Sequence, residues 1–220
     1  MTEALAAWLE RPGLDPALRL GILAKLAVGA ADWRRLEECA HTAQERGLAR
    51  QPLEETLLQA ILFFGFPRVV TAFQALQRAW PVRTASPADA PPPARRRARG
   101  EDLFARIYGD SATGVRAMLR SLHGELHDFV LEEAYGRILA RPRLDARSRE
   151  LLAVAALEQL GQEPQLVAHG RGASRCGATV QELRETLLTA TDLDLDRVEA
   201  LLRRIGSPTS GIDGSRSQTP

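Results

Sequence analysis

Two stretches of this chain match one another when residue i is aligned with residue i + 130 and no gap is allowed. Arg11–Ala60 and Arg141–Ala190 are identical at 15 of 50 positions, where ordinary compositions would give about three or four by chance. Both copies open with Arg-Pro-x-Leu-Asp-x-x-x-Arg, share a later glycine, and continue with Glu-Thr-Leu-Leu. The chain is therefore predicted to fold as a tandem duplication of one unit.

The composition and the sequence signals within each copy favour helices. Alanine, leucine, arginine and glutamate dominate, and β-branched residues are sparse. Asp15 before Pro16 is a strong helix start, because the carboxylate caps free N–H groups and proline has φ already set for the first helical position. Gly47 suits the left-handed conformation that ends many helices. We therefore expect an all-α fold, with helices in the second copy at about residues 146–160, 163–175 and 180–191.

Composition divides the chain into four segments. Residues 1–80 hold the first, divergent copy, and residues 101–205 hold the second copy with its leading helices. Between them, residues 81–100 are rich in proline, alanine and arginine with little to bury, which is typical of a linker. Residues 206–220 are polar and rich in glycine, serine and proline, so we expect a disordered tail.

A basic run closes the predicted linker, at Arg95, Arg96, Arg97 and Arg99. Such a run could contact phosphate groups of a nucleic acid, or it could be the solvated end of a linker that leads into a helix. No aromatic residues interleave with these arginines, and the formal net charge of the chain is +1. We therefore favour the solvated linker and expect no nucleic-acid partner.

The cysteines and the apolar runs bear on cellular location. Cys39 and Cys176 are the two cysteines and neither belongs to a CxxC pair, so no disulfide framework is expected. The N-terminus lacks the basic and apolar regions of a signal peptide. The longest apolar runs are too short to span a bilayer. We expect a soluble, cytoplasmic protein with no membrane partner.

The two copies differ at two positions that could carry chemistry. The second copy has Glu150 and His169 where the first has Leu20 and Cys39. A carboxylate can orient and charge an imidazole so that the ring moves a proton near neutral pH. Each residue also has a structural interpretation, as a glutamate stabilised near a helix start or as a partly buried, hydrogen-bonded histidine. Taken together, they are the strongest candidate for a catalytic pair.

The stretch from Leu144 to Leu188 resembles a known family. It contains in order Arg-Ser-Arg-Glu-Leu-Leu-Ala, Leu-Gly, Leu-x-x-His-x-x-Gly-Ala and Gly-Ala-Thr-x-x-Glu-Leu-x-Glu-Thr-Leu-Leu. This series resembles the carboxymuconolactone decarboxylase family, whose superfamily includes the alkylhydroperoxidase-D-like proteins. The first copy matches more weakly, but Phe64–Pro67 supplies the aromatic-Gly-x-Pro step of the family. The resemblance implies a duplicated helical bundle that forms homo-oligomers, with two repeats on one chain in place of two subunits.

The resemblance also implies roles for individual residues. Peroxidase members of the superfamily use a Glu, a CxxC pair and a His as a proton relay. The Glu and His map onto Glu150 and His169, with the 19-residue separation preserved. The CxxC positions hold Gln162 and Gln165 here, and a thiol-disulfide cycle cannot run without a resolving thiol. The decarboxylase branch also lacks the CxxC and is therefore favoured.

A decarboxylase of this kind needs a proton donor and an anchor for its substrate. Removing CO₂ from a carboxylated lactone requires electron flow toward the ring and protonation of the carbon that receives the electrons. His169 as general acid and Glu150 as orienting base would suffice, and Arg149 or Arg171 could hold the substrate carboxylate. We expect a small-molecule substrate, with an anionic lactone as the candidate, and no cofactor.

Other interpretations stay open. The chain could be a degenerate, non-catalytic member that kept the fold for binding or assembly. Cys39, with His41 close by, could be the peroxide-reactive thiolate of a peroxiredoxin-type activity, although an inert buried cysteine is the simpler interpretation. The second copy lacks the aromatic-Gly-x-Pro step, so its pocket would need Phe64–Pro67 of the first copy to close it. His123 and His127 lack a third ligand nearby, so no metal site is expected.

Overall fold

The computed structural model describes residues 3–83 and 91–207, and the regular elements within them are all helical. The first half contains α1 Glu3–Glu10, α2 Pro16–Ala30, α3 Trp33–Glu45, α4 Arg50–Gln59 and α5 Ile61–Ala79. The second contains α6 Pro93–Tyr108, α7 Ala112–Leu122, α8 Gly124–Phe129, α9 Ala146–Gln159, α10 Glu163–Arg175, α11 Val180–Ala190 and α12 Leu195–Gly206. A π-helical segment, Val130–Leu139, continues α8. The all-α prediction is confirmed.

Corresponding helices of the two halves lie at the same offset as the sequence matches. α2, α3 and α4 begin at residues 16, 33 and 50, and α9, α10 and α11 begin at 146, 163 and 180, each 130 residues later. The side chains of Asp15 and Asp145 cap α2 and α9 by accepting backbone N–H groups at 3.0 and 2.6 Å. Gly47 and Gly177 have φ of +67° and +97° after α3 and α10. The two halves thus share starts and stops as well as helix order.

The first half reaches into the second through an ion cluster. Arg11 and Arg19 bind the carboxylate of Glu185 on α11 at 3.1 and 2.9 Å. The guanidinium of Arg19 is fully buried and also donates to the carbonyl oxygens of Arg11 and Pro12. The backbone at the start of the repeated Arg-Pro motif therefore folds back onto the guanidinium of Arg19. Glu185, which neutralises this guanidinium, comes from the other half.

The second half makes the reciprocal cluster. Arg141 and Arg149 bind the carboxylate of Glu55 on α4 at 2.7 and 2.8 Å. Arg149 also donates to the carbonyl oxygens of Arg141 and Pro142, as Arg19 does at the equivalent positions. Each of these contacts is the counterpart of a contact in the first cluster, shifted by 130 residues. The two halves are therefore packed about an approximate two-fold axis, and each half supplies the counter-ion of the other.

The centre of this arrangement is the contact between α2 and α9. Residues 151–157 of α9 are buried on every face, as their unbroken apolar pattern predicts. Nε2 of Gln159 donates to the carbonyl oxygen of Leu26 at 2.9 Å, and Nε2 of Gln59 donates to that of Arg149 at 2.9 Å. One hydrogen bond therefore joins α9 to α2 and the other joins α9 to α4, and apolar side chains of α2 and α9 pack together between them.

The predicted linker at residues 81–100 is helical in its second part, because α6 begins at Pro93. Arg96 binds Glu133 at 3.1 Å, and Arg97 binds the carboxylates of Glu101, Asp128 and Glu132. Most of these acidic partners lie more than 30 residues further along the chain, so local composition could not indicate them. Residues 84–90 lie outside the described part of the chain.

Gly109, with φ of +55°, separates α6 from α7. α12 ends at Gly206, and residues 208–220 of the predicted disordered tail lie outside the described residues, so the disorder stays a prediction.

α6 and the π-helical segment cross with their backbones in contact. A Cβ on Gly100 would overlap the carbonyl oxygen of Leu131, and a Cβ on Gly136 would overlap that of Arg96. Backbone atoms cannot move aside as the end of a side chain can, so both positions require glycine. This crossing holds α6 where it borders the site described below.

Within residues 3–83 and 91–207, no single helix has both the length and the apolar character needed to cross a membrane. α4 and α5 reach that length only together, and they are bent by 117° where they meet.

Candidate functional site

The side chains of Glu150 and His169 meet in the structure. Oε2 of Glu150, near the start of α9, lies 2.8 Å from Nδ1 of His169 in the middle of α10. The Glu150 side chain is 1% exposed and that of His169 is 13% exposed. Nε2 of His169 has no hydrogen-bond partner within the described part of the chain. The geometry is that of an imidazole oriented by a buried carboxylate, with its second nitrogen available to another molecule.

The carboxylate of Glu150 is closely enclosed but incompletely bonded. Its Oε1 atom is buried and has no hydrogen-bond partner among the described residues. A Cβ at Gly172 would stand 2.6 Å from Oε2 and 2.6 Å from the side chain of Ile107, so α10 approaches this closely only with glycine there. A buried acceptor left without a donor costs free energy and needs a reason, for which a functional role is one candidate.

Aromatic side chains form one wall of the site. The rings of Tyr108 and His169 are 6.4 Å apart, centroid to centroid, in an edge-to-face arrangement. Tyr108 stacks on Phe104 at 4.3 Å, and its hydroxyl accepts a long hydrogen bond of 3.4 Å from Tyr135. Burial raises the pKa of both tyrosines, and the nearby negative charge of Glu150 raises it further. Both are therefore neutral phenols at physiological pH.

Access to the pair is narrow. Four cavities bordered by the described residues are lined by neither Glu150 nor His169. Because Glu150 is almost fully enclosed, solvent reaches the pair through the imidazole. Any substrate must therefore meet His169 from outside α10, or the surrounding helices must open.

Cys39 and His41 are not brought together. Cys39 is fully buried in the core of the first half, whereas His41 is exposed on another face of α3. Burial raises the pKa of Cys39 to about 12, and Arg35 opposes this shift only in part. The nucleophile in thiol chemistry is the thiolate. Cys39 is thus an inert thiol and gives no support to a peroxidase cycle.

The two arginines suggested as substrate anchors are engaged elsewhere. Arg149 is buried and binds Glu55 in the ion cluster between the halves. Arg171 donates to backbone carbonyl oxygens at the end of α12, those of Arg204, Ile205 and Ser207. Arg171 therefore caps a helix. Neither residue is placed to hold a substrate carboxylate beside His169.

The aromatic-Gly-x-Pro step does not close the pocket of the second half. A Cβ on Gly29 would touch both the ring of Phe64 and the side chain of Gln159, so Phe64 lies near the end of α9. Glu150 is nine residues earlier, about 14 Å along that helix. This position of Phe64 does not support the suggestion that the first copy completes the pocket of Glu150 and His169.

Sequence reasoning missed the residues that enclose the pair. Tyr108 and Tyr135 are the two tyrosines of the chain, and both lie at the site, on α6 and on the π-helical segment. Neither belongs to a repeated position, because these elements precede the second copy. No motif contains them, so no signal in the sequence pointed to the wall that they form.

Comparisons with known proteins bear on the same region. The model of the Carboxymuconolactone decarboxylase family matches residues 126–204, which include Glu150 and His169. A 4-carboxymuconolactone decarboxylase from Acinetobacter baylyi is 33% identical over 70 residues, which are 32% of this chain and 52% of that protein. Peroxisomal protein 2 of Schizosaccharomyces pombe is 28% identical over 149 residues, 66% of this chain and 67% of that protein. Residues 126–204, which include the candidate pair, are thus similar to the carboxymuconolactone decarboxylase family.

Proposed function

We propose that the chain is a proton-transfer enzyme of the decarboxylase type, in which Glu150 and His169 act as one unit. The observation that carries this proposal is the 2.8 Å contact between Oε2 of Glu150 and Nδ1 of His169. A carboxylate in this position fixes the orientation of the ring and stabilises its protonated form. The likeness to a 4-carboxymuconolactone decarboxylase supports a small carboxylated lactone as the substrate.

The proposed reaction uses His169 as general acid. The bond between the carboxylate carbon and the ring breaks, CO₂ leaves, and the electron pair moves into the conjugated lactone. The ring carbon that receives the pair takes a proton from Nε2 of His169. Solvent returns a proton to the imidazole, and the carboxyl group of Glu150 holds Nδ1 throughout. The neutral phenol of Tyr108 lies beside the ring and helps to keep water away from it.

Release of CO₂ tests this proposal directly. We expect the wild-type protein to release CO₂ from 4-carboxymuconolactone. The His169→Gln variant should release it at least about 100-fold more slowly, because general acid catalysis contributes about 10²- to 10⁴-fold. His41→Gln is the matched control, since His41 is exposed on α3, and its rate should equal that of the wild type. Equal rates for all three proteins, or no release by any of them, would contradict the proposal.

A second candidate is a non-catalytic protein that binds or assembles through an apolar groove. A cavity of about 1150 Å³ lies between α4 and α5 on one side and α8 with the π-helical segment on the other. Phe66 and Phe129 line it and are 72% and 58% exposed. Exposed aromatic residues around one groove are typical of an interaction surface. The narrow access to His169 also favours this candidate, with a second copy of the chain as the proposed partner.

The oligomeric state tests this second candidate. If the groove joins copies of the chain, the wild-type protein should be an oligomer in light scattering. Phe129→Glu should then reduce its mass to that of one chain, because a charge would be buried at the contact. Glu at the exposed Leu160, outside the groove, is the control and should leave the mass unchanged. A monomeric wild-type protein would exclude assembly through this surface.

A reducing compartment is proposed for the protein, since both cysteines are free. The name of the fission yeast relative places that protein in the peroxisome, which makes the peroxisome the alternative to the cytoplasm. A disulfide in protein taken from its native cells would contradict either compartment.

A further inference from the structure

Lys25 is the single lysine in a sequence that has 29 basic residues, and the other 28 are arginines. Its side chain is fully buried on α2, and Nζ has no hydrogen-bond partner among the described residues. Arginine stays protonated in proteins, whereas a buried lysine can release its proton. The one basic side chain of the Lys/Arg set that can readily become neutral therefore lies inside the molecule.

The surroundings of Lys25 connect it to the candidate site. Nζ lies 4.2 Å from the centroid of the Phe63 ring. Burial lowers the pKa of Lys25 well below its ordinary value, and the positive charge of Arg149 lowers it further. Glu150 acts in the opposite direction, because its negative charge favours the ammonium form. The orphaned Oε1 of Glu150 and the orphaned Nζ of Lys25 are thus two unpaired groups within electrostatic reach of one another.

The repeat has an apolar residue at the position equivalent to Lys25. Position 25 of the first half corresponds to position 155 of the second, where alanine is fully buried in the same helical context. The approximate two-fold axis pairs the neighbourhood of Lys25 and Glu150 with the neighbourhood of Ala155 and Leu20.

One of these two equivalent places is polar and the other is apolar. The first has Glu150, its hydrogen-bond partner His169, and Lys25, on which the charge of Glu150 acts. The counterparts in the second are Leu20, Cys39 and Ala155, all buried. Because Lys25 comes from one half and the other two polar residues from the other, this polar set is not a property of either repeat alone.

We propose that Lys25 is a third ionisable group of the site, which is thus composed of residues from both halves. Lys25 and His169 both face the carboxylate of Glu150, His169 through a hydrogen bond and Lys25 through its charge. Lys25 is a positioning residue: it sets the charge around Glu150 without touching the substrate. This inference rests on the proposed proton-transfer role of Glu150 and His169, but its test does not use activity alone.

The acidic residues described on the other helices packed against α2 are bound by arginines or lie at the surface. On α4 and α11, Glu55 and Glu185 are each bound by two arginines, and Glu54 binds Arg50. On α3, Glu37 and Glu38 bind Arg78 and Arg34, while Asp32, Glu45 and, on α1, Glu10 are exposed. α5 has no acidic residue. Glu150 is the acidic group whose negative charge acts on Lys25.

The titration of Lys25 can be observed without ambiguity, because protein grown with ¹³Cε-labelled lysine gives one lysine resonance. We expect its midpoint in the wild type to lie well below the ordinary value for lysine. In Glu150→Gln, the midpoint should fall by about one pH unit or more, a tenfold weaker proton affinity, since the carboxylate no longer favours the ammonium form. Glu37→Gln, on the exposed face of α3, is the matched control and should leave the midpoint unchanged.

Two results would overturn the proposal. An ordinary lysine midpoint in the wild type would show that Lys25 is solvated, and an unchanged midpoint in Glu150→Gln would show that the two groups are independent. Neither result depends on CO₂ release, so the proton-transfer role of His169 could survive both. Conversely, if the CO₂-release experiment shows no role for His169, the titration can still show that Lys25 and Glu150 are coupled.

Lys25→Met separates a functional lysine from a structural one. Methionine has a similar length and no charge to bury, so the variant should melt at a higher temperature than the wild type at pH 7. Its CO₂ release should lose the pH-dependent step that coincides with the Lys25 titration in the wild type. A lower melting temperature with an unchanged pH profile would show that Lys25 serves packing and would contradict the proposal.

Discussion

Replacing Glu55 with alanine is expected to lower the free energy of unfolding by about 3–5 kcal/mol, because the change leaves buried arginines without their counter-ion. Arg149 is 1% exposed, and both Arg149 and Arg141 bind this carboxylate. The measurement is chemical unfolding in urea, followed by circular dichroism. Glu37→Ala is the control, since its ion pair with Arg78 is on the surface and should contribute less than about 1 kcal/mol.

The approximate two-fold axis extends this prediction to the other half. Glu185→Ala should cost nearly as much as Glu55→Ala, because Glu185 neutralises Arg19, which is fully buried, and Arg11. If only one of the two substitutions lowers the free energy of unfolding, the two clusters are not equivalent. A loss from Glu55→Ala no larger than that from Glu37→Ala would contradict the assignment of these clusters as the contact that joins the halves.

The same cluster gives a pH dependence with a definite sign. Burial alone would raise the pKa of Glu55, but hydrogen bonds and charge from Arg141 and Arg149 outweigh it, so the pKa lies below the ordinary value. A carboxylate with a lowered pKa in the folded state contributes stability above its unfolded pKa, about 4.3. That contribution is lost as the pH falls through the folded pKa. Glu55→Ala should accordingly lack this part of the acid destabilisation of the wild type.

Gly136→Ala is expected to lower the free energy of unfolding by about 3 kcal/mol, at the upper end of the usual cost of overpacking. The added Cβ would overlap the carbonyl oxygen of Arg96 on α6, and neither backbone can shift without opening the crossing. Because α6 carries Tyr108, the variant should also disturb the aromatic wall beside His169. Urea unfolding and the near-ultraviolet circular dichroism of the tyrosines report these two effects.

Gly114→Ala is the matched control for this substitution. Gly114 lies within α7, is exposed, and has no atom within 4 Å of an added Cβ. Alanine there should stabilise the protein by about 0.5–1 kcal/mol, because it favours the helical backbone more than glycine does. The two substitutions are therefore expected to change the free energy of unfolding in opposite directions. Destabilisation of similar size at both positions would contradict the close crossing.

The sequence predicted the elements of the repeated units well and their partners poorly. Helix starts at Asp15 and Asp145 follow from local chemistry, so the pattern of residues was sufficient to place them. The ion clusters were not predicted, because Glu55 and Glu185 are ordinary surface-type residues in an amphipathic pattern. Their partners lie 86 to 174 residues away, at positions that only the packing of one half against the other brings close.

The candidate site was predicted in the same partial way. The spacing of Glu150 and His169 within one repeat indicated a pair, and the two side chains do meet. Lys25 was not predicted: its being the single lysine can be read from the sequence, but its relation to Glu150 crosses from one half to the other. The aromatic wall was missed for a related reason, because it is built from α6 and the π-helical segment, which have no counterpart in the first repeat. Contacts between units must be read from the structure.

The central claim is that Glu150 and His169 work as one unit, and a double-mutant cycle on CO₂ release tests it most directly. The variants are Glu150→Gln, His169→Gln and the double variant, compared with the wild type by kcat/KM for 4-carboxymuconolactone. If the pair acts as a unit, the second substitution adds little to the first, and the three variants lose activity to a similar degree. The account would be contradicted if the loss of kcat/KM in the double variant equalled the product of the losses in the two single variants. A wild-type protein without activity would also contradict it.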